Sequence, residues 1–380
     1  MSSTFEKPQQ EGGARDVENH ETVIDNATYE AALKRSRELE QDLLKNPGKY
    51  RVLTGDRPTG SLHIGHLFGS LLNRVRLQNL NVTSFIVIAD YQVLTDRDTA
   101  DAIEANVQEI ILDYLSAGLD PDCGRTFIFS HSHIPELNQL LLPFLTLVSM
   151  SELDRNPTVK EEIKAAGLKT VNAAMYTYPV HQAADILFCK GNIVPVGKDQ
   201  LPHLELTRKI ARRFNERFSP DQPVFPIPQP LLSDIPLVLG LDGGQKMSKS
   251  RGNAVMLKAT PEETAKLIKT AKTDSERLIT YEPERRPEVA NLLRLIALST
   301  NSTPEKVAGE IGDGGGGKLK QMLSDSLNAY LAPIRERRAR YAADKTYARE
   351  VLRRGILRAR EEAQKTLADT LKVMHMDHLG

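Results

Sequence analysis

The chain has 380 residues, of which 40% are hydrophobic and 26% charged, a composition typical of a folded globular protein rather than a disordered chain or a membrane protein. Its 50 Lys and Arg balance its 50 Asp and Glu, so any nucleic acid must be met by a local basic patch. The two cysteines, Cys123 and Cys189, are too few for a disulfide framework, and no secretory leader precedes the first polar residues. We therefore expect a cytoplasmic protein with two buried thiols and no membrane contact.

Residues 1–49 are predicted to form a polar N-terminal extension with one helix. Residues 1–25 are polar with almost nothing to bury, and we expect them to be mobile. Residues 27–44 have helical periodicity and many charges, and the sequence Asn46-Pro47-Gly48 ends that pattern. One surface helix is therefore predicted ahead of the main domain.

Strands and helices alternate from Tyr50 onward. Predicted strands lie at 52–54, 84–90, 126–129 and 193–196, and predicted helices at 64–75, 100–117 and 201–218. The second of these strands is almost uniformly apolar, which is typical of a parallel strand covered on both faces. A helical insert is expected at about 135–185. The pattern predicts an α/β fold with a doubly wound parallel sheet, a Rossmann-like domain over residues 50–258.

The remainder of the chain is predicted to be helical. Residues 220–256 are rich in Pro and Gly and end in a Lys-rich loop, and helical periodicity dominates from Pro261. Residues 259–380 therefore form an expected C-terminal all-helical domain. The glycine-rich run 312–317 is interpreted as a flexible hinge or a tight loop.

The first motif that carries chemistry follows the first strand, at residues 55–66. A helix N-terminus leaves backbone N–H groups unpaired and carries partial positive charge, so it suits a phosphate group. His63 and His66 are three residues apart and face the same side of this turn, while Gly65 leaves room for a base or ribose. Two partly exposed histidines in an ordinary turn are the alternative, and the Pro58-Thr59-Gly60 turn favours the phosphate site.

The second motif is the loop Lys246-Met247-Ser248-Lys249-Ser250, which two glycines precede. Two ammonium groups on a glycine-flanked loop could swing onto a polyphosphate and neutralise the charge of a departing pyrophosphate. Two lysines so spaced are more often solvated surface. The presence of both motifs in one chain favours the functional interpretation.

Together the motifs carry a resemblance to a known family. His63-Ile64-Gly65-His66 and the Lys246–Ser250 loop are similar to the two signatures of class I aminoacyl-tRNA synthetases, in the subclass that activates tryptophan or tyrosine. Shorter segments resemble tryptophanyl-tRNA synthetases: 178–179, 183–186, 194–200, 203–208, 212–215, 273–275 and 291–293.

The resemblance implies an ATP-dependent ligase that forms tryptophanyl-adenylate and then charges tRNA(Trp), with Mg²⁺ bound to the nucleotide and no protein metal site. It implies catalytic roles for His63, His66, Lys246 and Lys249. It implies an ATP site made by Arg57, Pro58, Thr59, Gly65, His66, Gly197, Lys198, Asp199, Leu237, Lys246, Met247, Ser248, Lys249 and Ser250. It also implies a tryptophan site made by Leu53, Gly55, Tyr178, Gln182, Asp185, Val196 and Gln200, in which Asp185 accepts the indole N–H.

Three positions depart from many tryptophanyl enzymes, which have Gln, Asn and Met where this chain has Arg57, His66 and Gln182. These departures resemble a divergent second type of bacterial tryptophanyl enzyme. The spacing of Tyr178, Gln182 and Asp185 is also similar to that of tyrosyl-tRNA synthetases, so tyrosine stays an alternative substrate. A non-catalytic, synthetase-like regulatory protein is the other alternative.

The resemblance further implies partners. Residues 259–380 would be the tRNA- and anticodon-binding domain, with arginines of the last helices as the tRNA surface. The family also implies a homodimer. His131, His133, His181 and His203 show no grouping typical of a metal site, and we interpret them as structural or pocket-lining.

Overall fold

The computed structural model describes residues 26–96, 100–167, 170–232, 238–243 and 246–378. The predicted mobile segment 1–25 therefore lies outside the described residues. Five strands of the described chain form one parallel sheet in the order β3-β2-β1-β4-β5. The strands are β1 Arg51–Asp56, β2 Thr83–Ile88, β3 Thr126–Ser130, β4 Ile193–Val196 and β5 Gln229–Leu232. The predicted doubly wound α/β fold is confirmed.

Helices surround this sheet. In the described residues they are α1 Asn26–Lys45, α2 Ile64–His66, α3 Leu72–Asn79, α4 Ile103–Ala117, α5 Pro135–Leu145, α6 Met150–Asp154, α7 Pro157–Ala166, α8 Ala173–Leu187, α9 Leu201–Phe218, α10 Pro261–Lys269, α11 Pro287–Thr300, α12 Pro304–Ile311, α13 Gly315–Ala343 and α14 Lys345–Val373. A π-helical turn, Leu67–Leu71, joins α2 to α3. Every predicted helix is found, while β5 was not predicted because it lies in the Pro-rich stretch, where an edge strand tolerates proline.

The alternation of side chains along β2 explains the two covered faces of the sheet. Phe85 and Val87 point into an apolar cluster with α5, α8 and α9, whereas Ile86 and Ile88 point into one with α4, α11 and α13. Each face of a pleated strand carries every second side chain, so a strand buried on both faces needs apolar residues throughout. The sequence of β2 meets that need.

The order of the strands locates a crevice. The chain leaves β1 toward β2 on one side and leaves β4 toward β5 on the other, so the winding direction reverses between β1 and β4. These two strands pair only at Val52 and Ile193. In open α/β sheets, ligands bind beyond the carboxyl ends of the strands at such a reversal. The loops that follow β1 and β4 are therefore the first place to look for a site.

The C-terminal helices pack back onto the sheet. Helix α14 covers the edge strand β3, and a Cβ placed on Gly355 would lie 1.8 Å from the carbonyl oxygen of Ile128. Arg337 of α13 donates to the carbonyl of Ser116, 2.8 Å away. The apolar core runs across the expected boundary at residue 258, and that boundary stays a prediction.

The glycine run between α12 and α13 forms a tight turn. Gly312 and Gly315 have φ of +59° and +68°, values that favour glycine, and Gly315 then begins α13. Cys189 is buried as expected, but Cys123 is exposed in the turn before β3, so the prediction of two buried thiols is wrong for Cys123. Within the described residues, the helices are all too short or too polar to cross a membrane.

Candidate active site

The loop after β1 leads into a helix whose N-terminus is capped by two histidines. His63 Nδ1 accepts a hydrogen bond from the Gly65 N–H at 3.1 Å, and His66 Nδ1 accepts one from the His63 N–H at 3.3 Å. This reciprocal arrangement is a capping box built from imidazoles in place of the usual hydroxyl and carboxylate.

The other backbone donors of this turn are also occupied. The Ile64 N–H donates to the carbonyl of Val255 at 2.9 Å, and the N–H groups of His66 and Leu67 donate to the His63 carbonyl at 2.9 and 3.1 Å. The prediction that these N–H groups are unpaired is therefore wrong, while phosphate binding at this turn stays a prediction. Because the backbone donors are used, any phosphate contact from this turn must come from the imidazole side chains.

The hydrogen bonds also set the protonation of the two rings. Since each Nδ1 accepts a bond, the neutral ring of His63 or His66 carries its proton on Nε2 and can donate from there. Burial, with the neighbouring imidazole and the Lys246 ammonium, lowers the pKa of His63 to about 3, and burial also lowers the pKa of His66. The ring centroids are 3.8 Å apart. At neutral pH the pair therefore supplies neutral donors.

The lysine loop lies against this turn, across the same crevice. Lys249 Nζ occupies the space beside Gly60, 2.5 Å from where a Cβ on that glycine would be. Met247 is buried, and its Cβ lies 3.5 Å from the corresponding point on Gly65. The side chain of Asn253 accepts a 2.8 Å bond from the Ser248 N–H. The structure thus brings the two sequence motifs together.

The loop after β4 forms the opposite wall. Asp199 Oδ2 lies 3.6 Å from Lys246 Nζ and 3.4 Å from Gln200 Nε2, and the Thr158 hydroxyl donates to the Asp199 carbonyl at 2.9 Å. Lys198 Nζ lies 5.0 Å from the ring centre of Tyr29 in α1. Asp199 therefore faces the lysine loop, whereas Lys198 contacts the N-terminal helix.

The other residues that the resemblance implies in ATP binding make no described contact with the lysine loop. Pro58 is buried and Thr59 is exposed on the loop after β1, while the half-buried Arg57 forms an ion pair with Asp96. Leu237 and the side chain of Ser250 lie outside the described residues.

The residues implied in tryptophan binding lie on β1, on α8 and at the end of β4. Leu53 is buried and Gly55 follows it on β1, where a Cβ would lie only 2.0 Å from the Val87 carbonyl oxygen. Asp185 of α8 is 1% exposed. Half-buried Gln182 is one turn away on the same helix, and half-buried Val196 ends β4. The roles that the resemblance implies for these residues in tryptophan binding stay a prediction.

Asp185 has two histidine neighbours, and no spacing along the chain groups His131 with it. Both of its carboxylate oxygens lie 3.3 Å from His131 Nδ1, and one lies 3.8 Å from His181 Nδ1. The three side chains offer possible metal-ligand atoms within 4.8 Å of one another. However, the Tyr91 N–H donates to His131 Nε2 at 2.9 Å, which puts the proton of the neutral ring on Nδ1, facing Asp185. That proton favours an Asp–His hydrogen bond over a metal site.

Tyr178 belongs to a buried polar network. Its hydroxyl lies 3.0 Å from His203 Nε2, and Asn156 Nδ2 lies 3.2 Å from His203 Nδ1. Burial lowers the pKa of His203 to about 4. Burial raises the pKa of Glu162 in spite of its hydrogen bond from Tyr178. The interpretation of His203 as structural or pocket-lining fits this network. The role of Glu162 is not evident from the sequence, because its partner Tyr178 lies on another helix.

A buried ion pair beneath the first motif was also missed. Arg74 Nη1 donates to Asp56 Oδ2 at 2.7 Å, and the Tyr114 hydroxyl donates to the same oxygen at 2.7 Å. Burial alone would raise the pKa of Asp56, but the Arg74 guanidinium outweighs it and lowers that pKa to about 2. An arginine on the inward face of α3 was the available signal. The pair fixes the end of β1, from which the His63 loop departs.

The C-terminal arginines are engaged within the chain. Arg335, Arg337, Arg338, Arg353, Arg354, Arg358 and Arg360 donate to acidic or polar groups, and Arg340 lies over the Tyr341 ring. They are therefore not a row of free cations, and several of them attach α13 and α14 to the sheet domain.

Comparison with known proteins places the chain in a family. Residues 45–332 match the family model described as tRNA synthetases class I (W and Y). The chain is 39% identical over 335 residues to tryptophan–tRNA ligase of Treponema pallidum, covering 85% of this chain and 96% of that protein. It is 40% identical over 336 residues to the ligase of Streptococcus pyogenes, covering 86% and 98%.

Among solved structures, tryptophanyl-tRNA synthetase from Campylobacter jejuni complexed with ADP and tryptophan superimposes with a TM-score of 0.72 at 29% identity, covering 86% of this chain and 99% of that one. The family match spans the sheet, both sequence motifs and most of the C-terminal helices. The chain therefore belongs to the class I tRNA synthetases for tryptophan and tyrosine, and within them to the tryptophan–tRNA ligase family.

Proposed function

We propose that the crevice between β1 and β4 binds ATP and L-tryptophan next to each other and joins them into tryptophanyl-adenylate. The observation that carries this proposal is the approach of Lys246 to Asp199 and of Lys249 to Gly60. These contacts bring two cations, two neutral imidazoles and a carboxylate to one cleft, as a triphosphate nucleotide requires.

In the first step, a carboxylate oxygen of tryptophan attacks the α-phosphorus of ATP, and the bond to the bridging oxygen of pyrophosphate breaks. Negative charge grows on the departing pyrophosphate, where Lys246 and Lys249 would neutralise it. The Nε2–H groups of His63 and His66 would donate to phosphate oxygens. No covalent enzyme intermediate is needed, because position and electrostatics supply the rate.

The nucleoside part of ATP would lie along the β4 loop. The Asp199 carboxylate can accept hydrogen bonds from both ribose hydroxyls. Lys246 lies 3.6 Å from this carboxylate, so the incoming ribose would separate the two and free the lysine for the phosphates. Mg²⁺ would enter with the phosphate oxygens and neutralise part of their charge.

Selection of the amino acid would depend on Asp185. A buried carboxylate that accepts the indole N–H rejects analogues that lack this donor, because it is then left without a partner. The apolar side chain of Leu53 would pack against the ring. We propose tryptophan over tyrosine as the amino acid, because the named relatives at about 40% identity are tryptophan–tRNA ligases.

In the second step, the 2′-hydroxyl of the terminal adenosine of tRNA(Trp) would attack the adenylate and release AMP. We propose a cytoplasmic homodimer for this step. Leu142 of α5 and Met150 of α6 are 69% and 67% exposed, which supports an apolar contact between subunits at the helical insert. The tRNA would cross exposed parts of the C-terminal helices.

The exchange of labelled pyrophosphate into ATP tests the first step. We expect exchange that depends on L-tryptophan and not on L-tyrosine. Exchange with tyrosine alone would overturn the choice of substrate, and exchange with neither would support the regulatory alternative. Charging of tRNA(Trp) by the same preparation tests the second step.

A further inference from the structure

His131 occupies a buried position between two carboxylates. It follows β3 in a short 3₁₀ turn, and its side chain is fully buried. Its Nδ1 faces Asp185 of α8, and its Nε2 lies 3.4 Å from Asp90 Oδ1 at the end of β2. One imidazole therefore links two strand ends to the helix that carries the proposed indole acceptor.

The surroundings of the ring hold it in one orientation. Tyr91 lies beside it with ring centroids 5.3 Å apart, and His181 meets it edge-on at 4.9 Å. The Tyr91 N–H donates to Nε2 at 2.9 Å. Because a backbone N–H can only donate, the neutral ring must carry its proton on Nδ1 and donate it to Asp185.

Asp185 needs such a donor. A carboxylate that is 1% exposed has lost its water, so protein groups must donate the hydrogen bonds that water would have supplied. Within the described residues, the hydrogen bonds to the Asp185 carboxylate come from His131, whose Nδ1 lies 3.3 Å from both oxygens. The Nδ1 of His181 is farther away, at 3.8 Å from one of them. A shared bond at this length leaves the carboxylate able to accept a second, better-aligned donor.

We propose that His131 is a positioning residue for amino-acid recognition, which holds the Asp185 carboxylate in place and aimed at the N–H of the substrate's ring. The inference rests on the proposed function, because it takes Asp185 as the acceptor. It extends that function to the residue that directly follows β3 and lies outside both sequence motifs.

The same geometry makes recognition sensitive to pH. The titratable groups that face His131 are Asp90, Asp185, His181 and Tyr91. A second proton on His131 would bridge Asp90 to Asp185 and neutralise the charge that the indole N–H needs. Burial alone would lower the pKa of His131. The negative charges of Asp185 and Asp90 outweigh this effect, so the pKa of His131 is raised above its usual value. Tryptophan affinity should therefore fall as the solution is acidified.

The absence of tryptophan from the chain provides a direct assay. The fluorescence of L-tryptophan itself, excited beyond the tyrosine absorption, reports its binding without a protein background. We expect His131→Leu to weaken binding by about tenfold or more, the effect of losing a hydrogen bond to a charged group. His131→Gln can donate to Asp185 and accept from Tyr91, so it should recover most of the affinity while losing the dependence on pH.

His133→Leu is the matched control, because His133 lies in the same turn but is exposed. It should bind tryptophan as the wild type does. Wild-type affinity in folded His131→Leu, or an unchanged pH profile in His131→Gln, would overturn the inference. Wild-type protein that binds no tryptophan would overturn the proposed function instead, so the two failures are distinguishable.

Discussion

Lys246 Nζ lies 3.6 Å from Asp199 Oδ2, so a loop from the second half of the sequence contacts the loop that follows β4. Its neighbour Lys249 lies beside Gly60 on the other wall. The two lysines therefore reach both sides of the crevice. This arrangement suits groups that act on a polyphosphate held between the walls.

The lysine loop gives the first prediction. Lys249→Ala should lower the rate of adenylate formation by about 10²–10³-fold, the usual effect of removing one donor from a developing charge. Tryptophan affinity should be nearly unchanged, because no described contact joins Lys249 to the Asp185 region. Single-turnover formation of adenylate and a fluorescence titration measure the two quantities.

Lys272→Ala is the matched control, since the Lys272 side chain is exposed and pairs with Glu288, which lies outside both sequence motifs. It should keep the wild-type rate. An equal loss in both variants would contradict the role given to Lys249.

Asp185 gives the second prediction. Asp185→Ala should raise the dissociation constant for tryptophan by about 10–100-fold, because the indole N–H loses its charged acceptor and His131 its partner. The rate at saturating tryptophan should change less. The fluorescence titration measures the constant, and Asp369→Ala, which removes an exposed partner of Lys190, is the control. Unaltered affinity would remove the indole assignment.

Gly355 gives a prediction about stability. Its Cβ position lies 1.8 Å from the Ile128 carbonyl oxygen, so Gly355→Ala must push α14 away from β3. We expect the free energy of unfolding to fall by about 1–3 kcal/mol, as overpacking usually does. Gly309→Ala, in the exposed part of α12 with open space around it, should be neutral or stabilising by about 0.5–1 kcal/mol. Urea unfolding compares them, and equal effects would contradict the clash.

His203 gives a prediction about pH. Its folded pKa is about 4, whereas an unfolded histidine titrates near about 6.5, so acid protonates the unfolded state first. The contribution to stability is full above pH ~6.5 and is lost as the pH falls toward 4. By pH ~5 the loss from this residue should reach about 2 kcal/mol. His203→Gln should therefore lose less stability than the wild type between pH 7 and 5 in urea unfolding, and identical losses would contradict the assignment.

Much of the fold was predictable because burial leaves a pattern. The uniformly apolar β2 and the periodic helices on either side require a covered parallel sheet. The strand β5 was not predictable in this way, since Pro230 interrupts its pattern and only its pairing with β4 identifies it.

The candidate site was predictable where function depends on adjacent residues. The two signatures were found because each is a short continuous motif. The capping of the helix by His63 and His66, the Asp56–Arg74 pair and the His131–Asp185 bond were not found. Each depends on the direction of a side chain or on a partner in another element, which spacing along the chain does not reveal.

The N-terminal helix illustrates the same limit. It was predicted as a surface helix, and the structure adds that Tyr29 contacts Lys198 and that Ser36 accepts a 2.8 Å bond from the Leu232 N–H. The family match begins only at residue 45. A segment outside that match therefore supports the loop that carries Asp199.

The packing of α14 on β3 has a consequence for biosynthesis. Glu362 binds Arg51 across 311 residues of sequence, and the Thr366 hydroxyl donates to the Phe188 carbonyl at 2.6 Å. While the ribosome is still translating the segments before α14, the outer backbone of β3 has no cover and can pair with strands of other nascent chains. A premature stop codon before Gly355 would thus yield a product prone to aggregation and proteolysis, in addition to any loss of tRNA contacts.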